Sequence, residues 1–209
     1  MDLFILLTVY GILFLGELGD KTQLIVFNIS LEHEKSYKVG IGATLGFGAI
    51  VTLGVVFGSV ITKYIPLNLI SLISGIVFVI IGVLDARRLK QLYIAHYKLP
   101  QGEETNNKTE EELPSKYSKL RNNPYLAGFG FIFLMELGDK TQILTITLAS
   151  IYTLPLEVWL GSFLALTTLA WIGVLFGEIV ARKVPKFHLK VISVSIFIIV
   201  GIMIIVTSV

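Results

Sequence analysis

Six apolar stretches, about residues 3–29, 39–62, 67–84, 125–150, 156–180 and 187–208, alternate with polar ones along the chain. A helix that crosses the hydrocarbon core of a bilayer needs about 20 predominantly apolar residues, and each stretch approaches or exceeds that length. The pattern predicts an all-α membrane protein with six transmembrane helices. The first stretch has no basic segment before it and is long for the apolar part of a secretory signal, so it is expected to stay in the mature protein. Two stretches are not uniformly apolar. Phe14 to Phe27 reads FLGELGDKTQLIVF, and ELGDKTQ returns at Glu136 to Gln142.

Glu136 follows Glu17 by 119 positions, and the same offset holds well beyond the motif. It carries Gly11 to Gly130, Phe14 to Phe133, Gly42 to Gly161, Gly54 to Gly173, Gly58 to Gly177, Pro66 to Pro185, Phe78 to Phe197 and Gly82 to Gly201. The chain therefore reads as two three-helix repeats, residues 1–88 and 123–209, joined by a polar linker over 89–122. Three is odd, so the second repeat must enter the membrane from the opposite face. That is an inverted-topology repeat, on which many secondary transporters are built. The linker, rich in Glu, Asn and Lys, cannot bury enough apolar surface to order itself. It is expected to be a cytoplasmic tether, with a regulatory or metal-collecting role for Glu103, Glu104 and Glu110 to Glu112 as the other reading. Glycines four residues apart, Gly42 with Gly46, Gly54 with Gly58 and Gly173 with Gly177, are expected to let helix backbones approach closely in lipid.

Composition agrees with the pattern. Hydrophobic residues make up 54% and charged residues 15% of the chain, and the mean hydropathy is +0.80, too apolar for a water-soluble domain. There is no cysteine, which excludes disulfides, thiolate metal sites and cysteine nucleophiles. Setting Lys21 and Lys140 aside, alternating spans gather the basic residues on one side: Lys35, Lys38, those from Arg87 to Arg121, and Arg182, Lys183, Lys186 and Lys190. Only Lys63 falls on the other. By the positive-inside rule the crowded side is the cytoplasm, so both termini are expected outside and the linker inside. Nothing suggests a nucleic-acid partner, and the sequence leaves the oligomeric state open.

The motifs carry the chemistry. Glu17 and Glu136 fall near the middle of their spans, where each bare charge costs about 2.5–3.5 kcal/mol on insertion scales. The charges must be paired, protonated or bound. On a continuous helix Glu17, Asp20, Lys21 and Leu24 share a stripe, with Gln23 on its flank and Thr22 behind. Glu136, Asp139, Lys140, Thr141 and Gln142 repeat the layout. Gly19, between the two acids, lowers helix propensity and could open the backbone. Folded about a pseudo-twofold axis, the repeats would bring four carboxylates, Glu17, Asp20, Glu136 and Asp139, to one site. Thr22, Gln23, Thr141, Gln142, Lys21 and Lys140 would support it. The donors are all oxygen, which suits Ca2+, Mn2+ or Mg2+ over copper or zinc. If Lys21 pairs with Glu17 and Lys140 with Glu136, two aspartates remain, a charge that one divalent ion or two protons would neutralise. The plainer reading makes each Glu–Lys pair a buried ion pair that holds helices together, but it leaves Asp20 and Asp139 unpartnered.

Other polar positions read as structural. Glu178 with Arg182 looks interfacial, Asp85 beside Arg87 and Arg88 looks like a helix-end charge, and Thr44, Thr52, Thr167 and Thr168 are expected to bond back to their own backbone.

The signature Glu-x-Gly-Asp-(Lys or Arg)-(Thr or Ser), present at Glu17 to Thr22 and again at Glu136 to Thr141, resembles that of the calcium/manganese:proton exchanger family. That family has Golgi, chloroplast and bacterial members and is often grouped with the lysine-exporter superfamily. The resemblance spans the whole chain and implies divalent cation/proton antiport, with manganese and calcium as substrates and no cofactor. It carries the cation site onto Glu17, Asp20, Glu136 and Asp139. With no organelle-targeting extension in view, a prokaryotic cell membrane is the expected location, and the proton gradient would drive the metal outward. The competing readings are a lysine-exporter-like carrier of a small organic solute, which needs a roomier and less acidic site, and a passive divalent channel. A structural scaffold leaves the acids unexplained. LGD is superficially like the Gly-x-Gly-Asp motif of intramembrane aspartyl proteases, but Glu17 stands where that motif has Gly. The chain is not expected to be an enzyme.

Overall fold

The computed structural model describes residues 1–97, 123–183 and 186–208, and these form helices with no strand among them. In chain order the helices are α1 (Leu3–Glu17), α2 (Lys21–Leu31), α3 (Ser36–Tyr64), α4 (Leu67–Tyr97), α5 (Pro124–Glu136), α6 (Lys140–Tyr152), α7 (Pro155–Lys183) and α8 (Lys186–Ser208). Four of them contain segments long and apolar enough to cross a membrane: 36–64, 67–87, 155–176 and 188–208. The first and fourth apolar stretches of the sequence are each broken at the motif, into α1 with α2 and α5 with α6. At about 1.5 Å per residue, α1 and α5 are each too short to cross a bilayer of about 30 Å alone.

Local sequence explains the helix starts. The Asp2 carboxylate accepts from the backbone N–H groups of Phe4 and Ile5 at 3.0 and 3.2 Å, satisfying donors that a helix N-terminus leaves free. Asn123 does the same for Tyr125 at 3.0 Å, and Pro124 follows at a position where its missing N–H is no loss. Helix α4 continues past Leu89 to Tyr97, so the stretch expected to be linker begins as helix. Residues 98–122, with the acidic cluster of the linker, lie outside the described residues.

Each repeat packs on the other. The glycines of α3 lie against α5 and α6: a Cβ on Gly42 would overlap the Tyr125 carbonyl, and one on Gly58 would stand 2.6 Å from the Ile146 oxygen. The glycines of α7 do the same against the first repeat, Gly161 at 2.6 Å from the Leu6 carbonyl and Gly173 at 2.9 Å from that of Gln23. Tyr125 and Leu6 stand at the repeat offset, as do Gly42 and Gly161, so these contacts are exchanged between the repeats. Helices α4 and α8 pack likewise, with Gly82 against Ile198 and Gly201 against Val79. Phe78 and Phe197, fully buried, meet edge to face with centroids 6.1 Å apart.

The distribution of side chains is inverted relative to a water-soluble protein. Phe4, Val56, Phe57, Leu175, Ile199 and Val206 are among many large apolar residues on the outside, while Glu17, Glu136, Asp85, Gln23, Gln142 and Thr141 are buried. Exposed apolar surface on this scale marks contact with lipid.

Candidate functional site

Both motifs interrupt the helix in the same way. After Glu17 the chain turns extended at Leu18 and passes through Gly19 at φ +78°. After Glu136 it does so through Leu137 and Gly138, at φ +83°. This left-handed backbone is open to glycine at little cost and strains other residues. A turn hydrogen bond from the Asp20 N–H to the Glu17 carbonyl, 3.1 Å, closes the break, matched by Asp139 to Glu136 at 3.2 Å. Asp20 and Asp139 then precede the first residues of α2 and α6, where the partial positive charge of a helix N-terminus favours a carboxylate.

The glutamines hold these breaks in shape. The Gln23 side chain accepts from the Gly19 N–H at 3.3 Å and donates to the Glu17 carbonyl at 3.3 Å. Gln142 accepts from the Gly138 N–H. Sequence reading put Gln23 and Gln142 among the supporting ligands; here they replace hydrogen bonds that the broken helices lack. The single helical stripe expected for Glu17, Asp20, Lys21 and Leu24 does not exist, because the helix stops between the acids. The side chains of Lys21 and Leu24 are outside the described set.

A cavity of about 20 Å³ lies between the two motifs, lined by Glu17, Asp20, Thr22, Gln23, Glu136 and Thr141, with apolar walls from α2, α3 and α7. That volume suits about one water molecule or one small ion. Three of the four expected carboxylates therefore line one cavity. Asp139 is exposed and does not line the cavity, and among the described residues no preformed cluster of three metal-ligating groups exists. The Thr22 hydroxyl donates to Glu136 Oε1 across the repeats at 2.6 Å. Glu17 Oε1 and Glu136 Oε2 are buried without a hydrogen-bond partner, a condition that native proteins rarely leave uncompensated.

The lysine pairing differs from expectation. Lys140 does not fold back on Glu136 within its own repeat; its Nζ reaches Glu17 Oε2 at 3.3 Å and Asp20 Oδ2 at 3.2 Å in the other. The reason is the break: with α6 starting at Lys140, the lysine no longer sits one turn above Glu136 on a shared helix. It also lies 5.9 Å over the Phe197 ring. Asp85 and Lys190 were not among the expected site residues. Asp85, read as a helix-end charge, is only 6% exposed; its Oδ2 holds Lys190 at 2.7 Å and stands 3.8 Å from Lys140. The sequence did carry a signal, because the repeat offset puts an acid where the second repeat has Ile204.

Thr44, Thr52 and Thr168 bond back to the carbonyls of Gly40, Gly48 and Leu164 as expected, whereas the buried Thr167 hydroxyl makes no such bond; Trp171 and Trp159 donate to the hydroxyls of Thr44 and Thr52. The side chains of Glu178 and Arg182 lie outside the described set.

Comparison with known proteins gives the family. Residues 5–91 and 124–209 match the family described as "Divalent cation/proton antiporter GDT1". The chain is 30% identical over 190 residues to GDT1-like protein sll0615 of Synechocystis sp., covering 87% of each. It is 27% identical to GDT1-like protein 3 of Oryza sativa, over 84% of this chain and 64% of that one. It is 25% identical to a Vibrio cholerae protein described as "Putative manganese exporter", over 88% of this chain and 81% of that one. No solved structure matches. The apolar exterior, the doubled broken-helix motif and the matched residues together make this chain a multi-pass membrane transporter, not an enzyme, that belongs to the GDT1 divalent cation/proton antiporter family.

Proposed function

We propose that the protein exports Mn2+ or Ca2+ from the cytoplasm in exchange for protons, through a site formed by Glu17, Asp20 and Glu136 with the hydroxyls of Thr22 and Thr141. The observation that carries this is the small buried cavity at which carboxylates of both motifs meet and two carboxylate oxygens lack partners. Its oxygen donors favour a hard cation, and its volume leaves no room for an organic solute. With Lys140 counted, the three acids carry a net charge of −2, which one divalent ion or two protons would cancel. Either load lets the site cross a dry barrier, whereas bare charge there is costly. Two protons per metal make the exchange electroneutral.

In this reading the chain crosses a cell membrane six times as two inverted repeats, α1 with α2 and α5 with α6 each forming one broken span. Both termini lie outside and the linker in the cytoplasm. The exchanged glycine contacts and the matching breaks support the inversion. Asp139, exposed here, is the repeat counterpart of Asp20 and takes its place at the site when the carrier opens to the other side.

The test is metal flux into proteoliposomes of the pure protein under a pH gradient, for Mn2+ and Ca2+ separately. Saturable flux coupled to proton counterflow and indifferent to membrane potential is expected. Asp20→Asn and Glu136→Gln should reduce it roughly 10- to 100-fold, at least the loss seen when groups around a metal site are removed, with thermal unfolding unchanged. Full transport by both variants rejects the site, and non-saturable flux without proton coupling makes the protein a channel.

A further inference from the structure

Lys140 approaches two acids of the proposed cation site, yet a lysine fixed there would block the metal. Its Nζ stands 3.3 Å from Glu17 Oε2 and 3.2 Å from Asp20 Oδ2, comes from the opposite repeat, and makes no hydrogen bond beyond these ion pairs. A third carboxylate waits beside it. Asp85 on α4 is buried and belongs to neither motif; its Oδ2 lies 3.8 Å from Lys140 Nζ. Lys190 from α8 holds the same oxygen at 2.7 Å, so an acid outside the cation site is held in place within one short swing of the lysine.

We propose that Lys140 is a tethered stand-in for the cation, and that Asp85 is the counter-ion that receives it when a divalent ion binds. This rests on the cation-exchange reading above and extends it to residues that reading does not use. In the arrangement described, the ammonium neutralises part of the charge on Glu17 and Asp20 while the metal is absent. When the metal arrives, like charges repel the ammonium, and a flexible four-carbon stem lets it move to Asp85 without leaving the buried cluster, so the charge balance of the exchange is unchanged. A desolvated ammonium needs an acid wherever it goes, and Asp85 is within reach. Lys190 competes for that acid, so it sets how readily Asp85 accepts the second lysine. A purely structural Asp85–Lys190 pair would also tie α4 to α8, but it would have no reason to lie beside Lys140.

The test is equilibrium Mn2+ and Ca2+ binding to the purified full-length protein in lipid nanodiscs. Asp85→Asn removes the alternative resting place and should weaken metal binding roughly fivefold or more, the low end of typical coupling between sites. Lys140→Gln removes the competitor and should tighten binding. In the double variant the effect of Asp85→Asn should vanish. Lys190→Gln, which leaves the acid in place, should tighten binding in the wild-type background, and it keeps the question answerable if Asp85→Asn does not fold. Overturning results are an Asp85→Asn effect of equal size with and without Lys140, or no change in affinity in either Asp85→Asn or Lys190→Gln. If the wild type binds neither metal, the transport reading falls and this inference with it; if the wild type binds and only the coupling is missing, the transport reading stands alone.

Discussion

At the scale of single residues, the amide side chains of Gln23 and Gln142 show how a membrane protein tolerates an opened helix. Each replaces backbone hydrogen bonds that lipid cannot supply, and Gln23 does so for two groups at once. Gln23→Ala leaves the Gly19 N–H and the Glu17 carbonyl without that partner. The cost is about 1–3 kcal/mol per unsatisfied buried group, and thermal unfolding in detergent should register it. Because the same break aims Glu17, metal affinity should fall with it, whereas an alanine on the lipid face should leave affinity alone. Glu17, Asp20, Thr22, Glu136 and Thr141, which line one cavity, were legible as candidates because ionisable groups at mid-span are expensive and the motif occurs twice. The partner of Lys140 was not. Which carboxylate a long side chain reaches depends on where its helix begins, and the break that shifts α6 is a backbone event that side-chain periodicity does not encode. Asp85 was hidden by its neighbours Arg87 and Arg88, which made it look like part of a solvated helix end.

At the scale of helices, the four-residue glycine spacing was readable as close packing, and the structure gives it partners. Gly161→Ala would drive a methyl group against the Leu6 carbonyl, 2.6 Å away, backbone that cannot step aside as a side chain can. Overpacking of this kind typically destabilises by about 1–3 kcal/mol. Gly11→Ala is the matched control: nothing lies within 4 Å of its added carbon, and helix propensity favours alanine by about 1 kcal/mol. Unfolding midpoints of the two variants should move in opposite directions. The apolar stretches identified every long helix. Hydropathy alone ran through both interruptions, but Gly19, set between Glu17 and Asp20, already pointed to an opened backbone, and it is there that the helix stops. The apolar stretches missed the extension of α4 to Tyr97, where polar composition masked continuing helix.

At the scale of the whole molecule, the proposed orientation can be checked directly, because the natural chain has no cysteine to remove. A single Lys63→Cys variant should react with a membrane-impermeant maleimide from outside intact cells, and Lys35→Cys only after the membrane is opened. The reverse pattern would turn the molecule over, while the direction of exchange would still be set by the proton gradient. The deepest consequence lies where α4 meets α8. Phe78 and Phe197 occupy corresponding places in the two repeats, yet an edge-to-face pair is unequal, one ring offering its rim and the other its plane. If the repeats trade conformations, the rings trade roles, and the mirror arrangement is as favourable as the first. Such a contact opposes neither state and penalises only the passage between them, like a coin that rests equally well on either side but not on its rim.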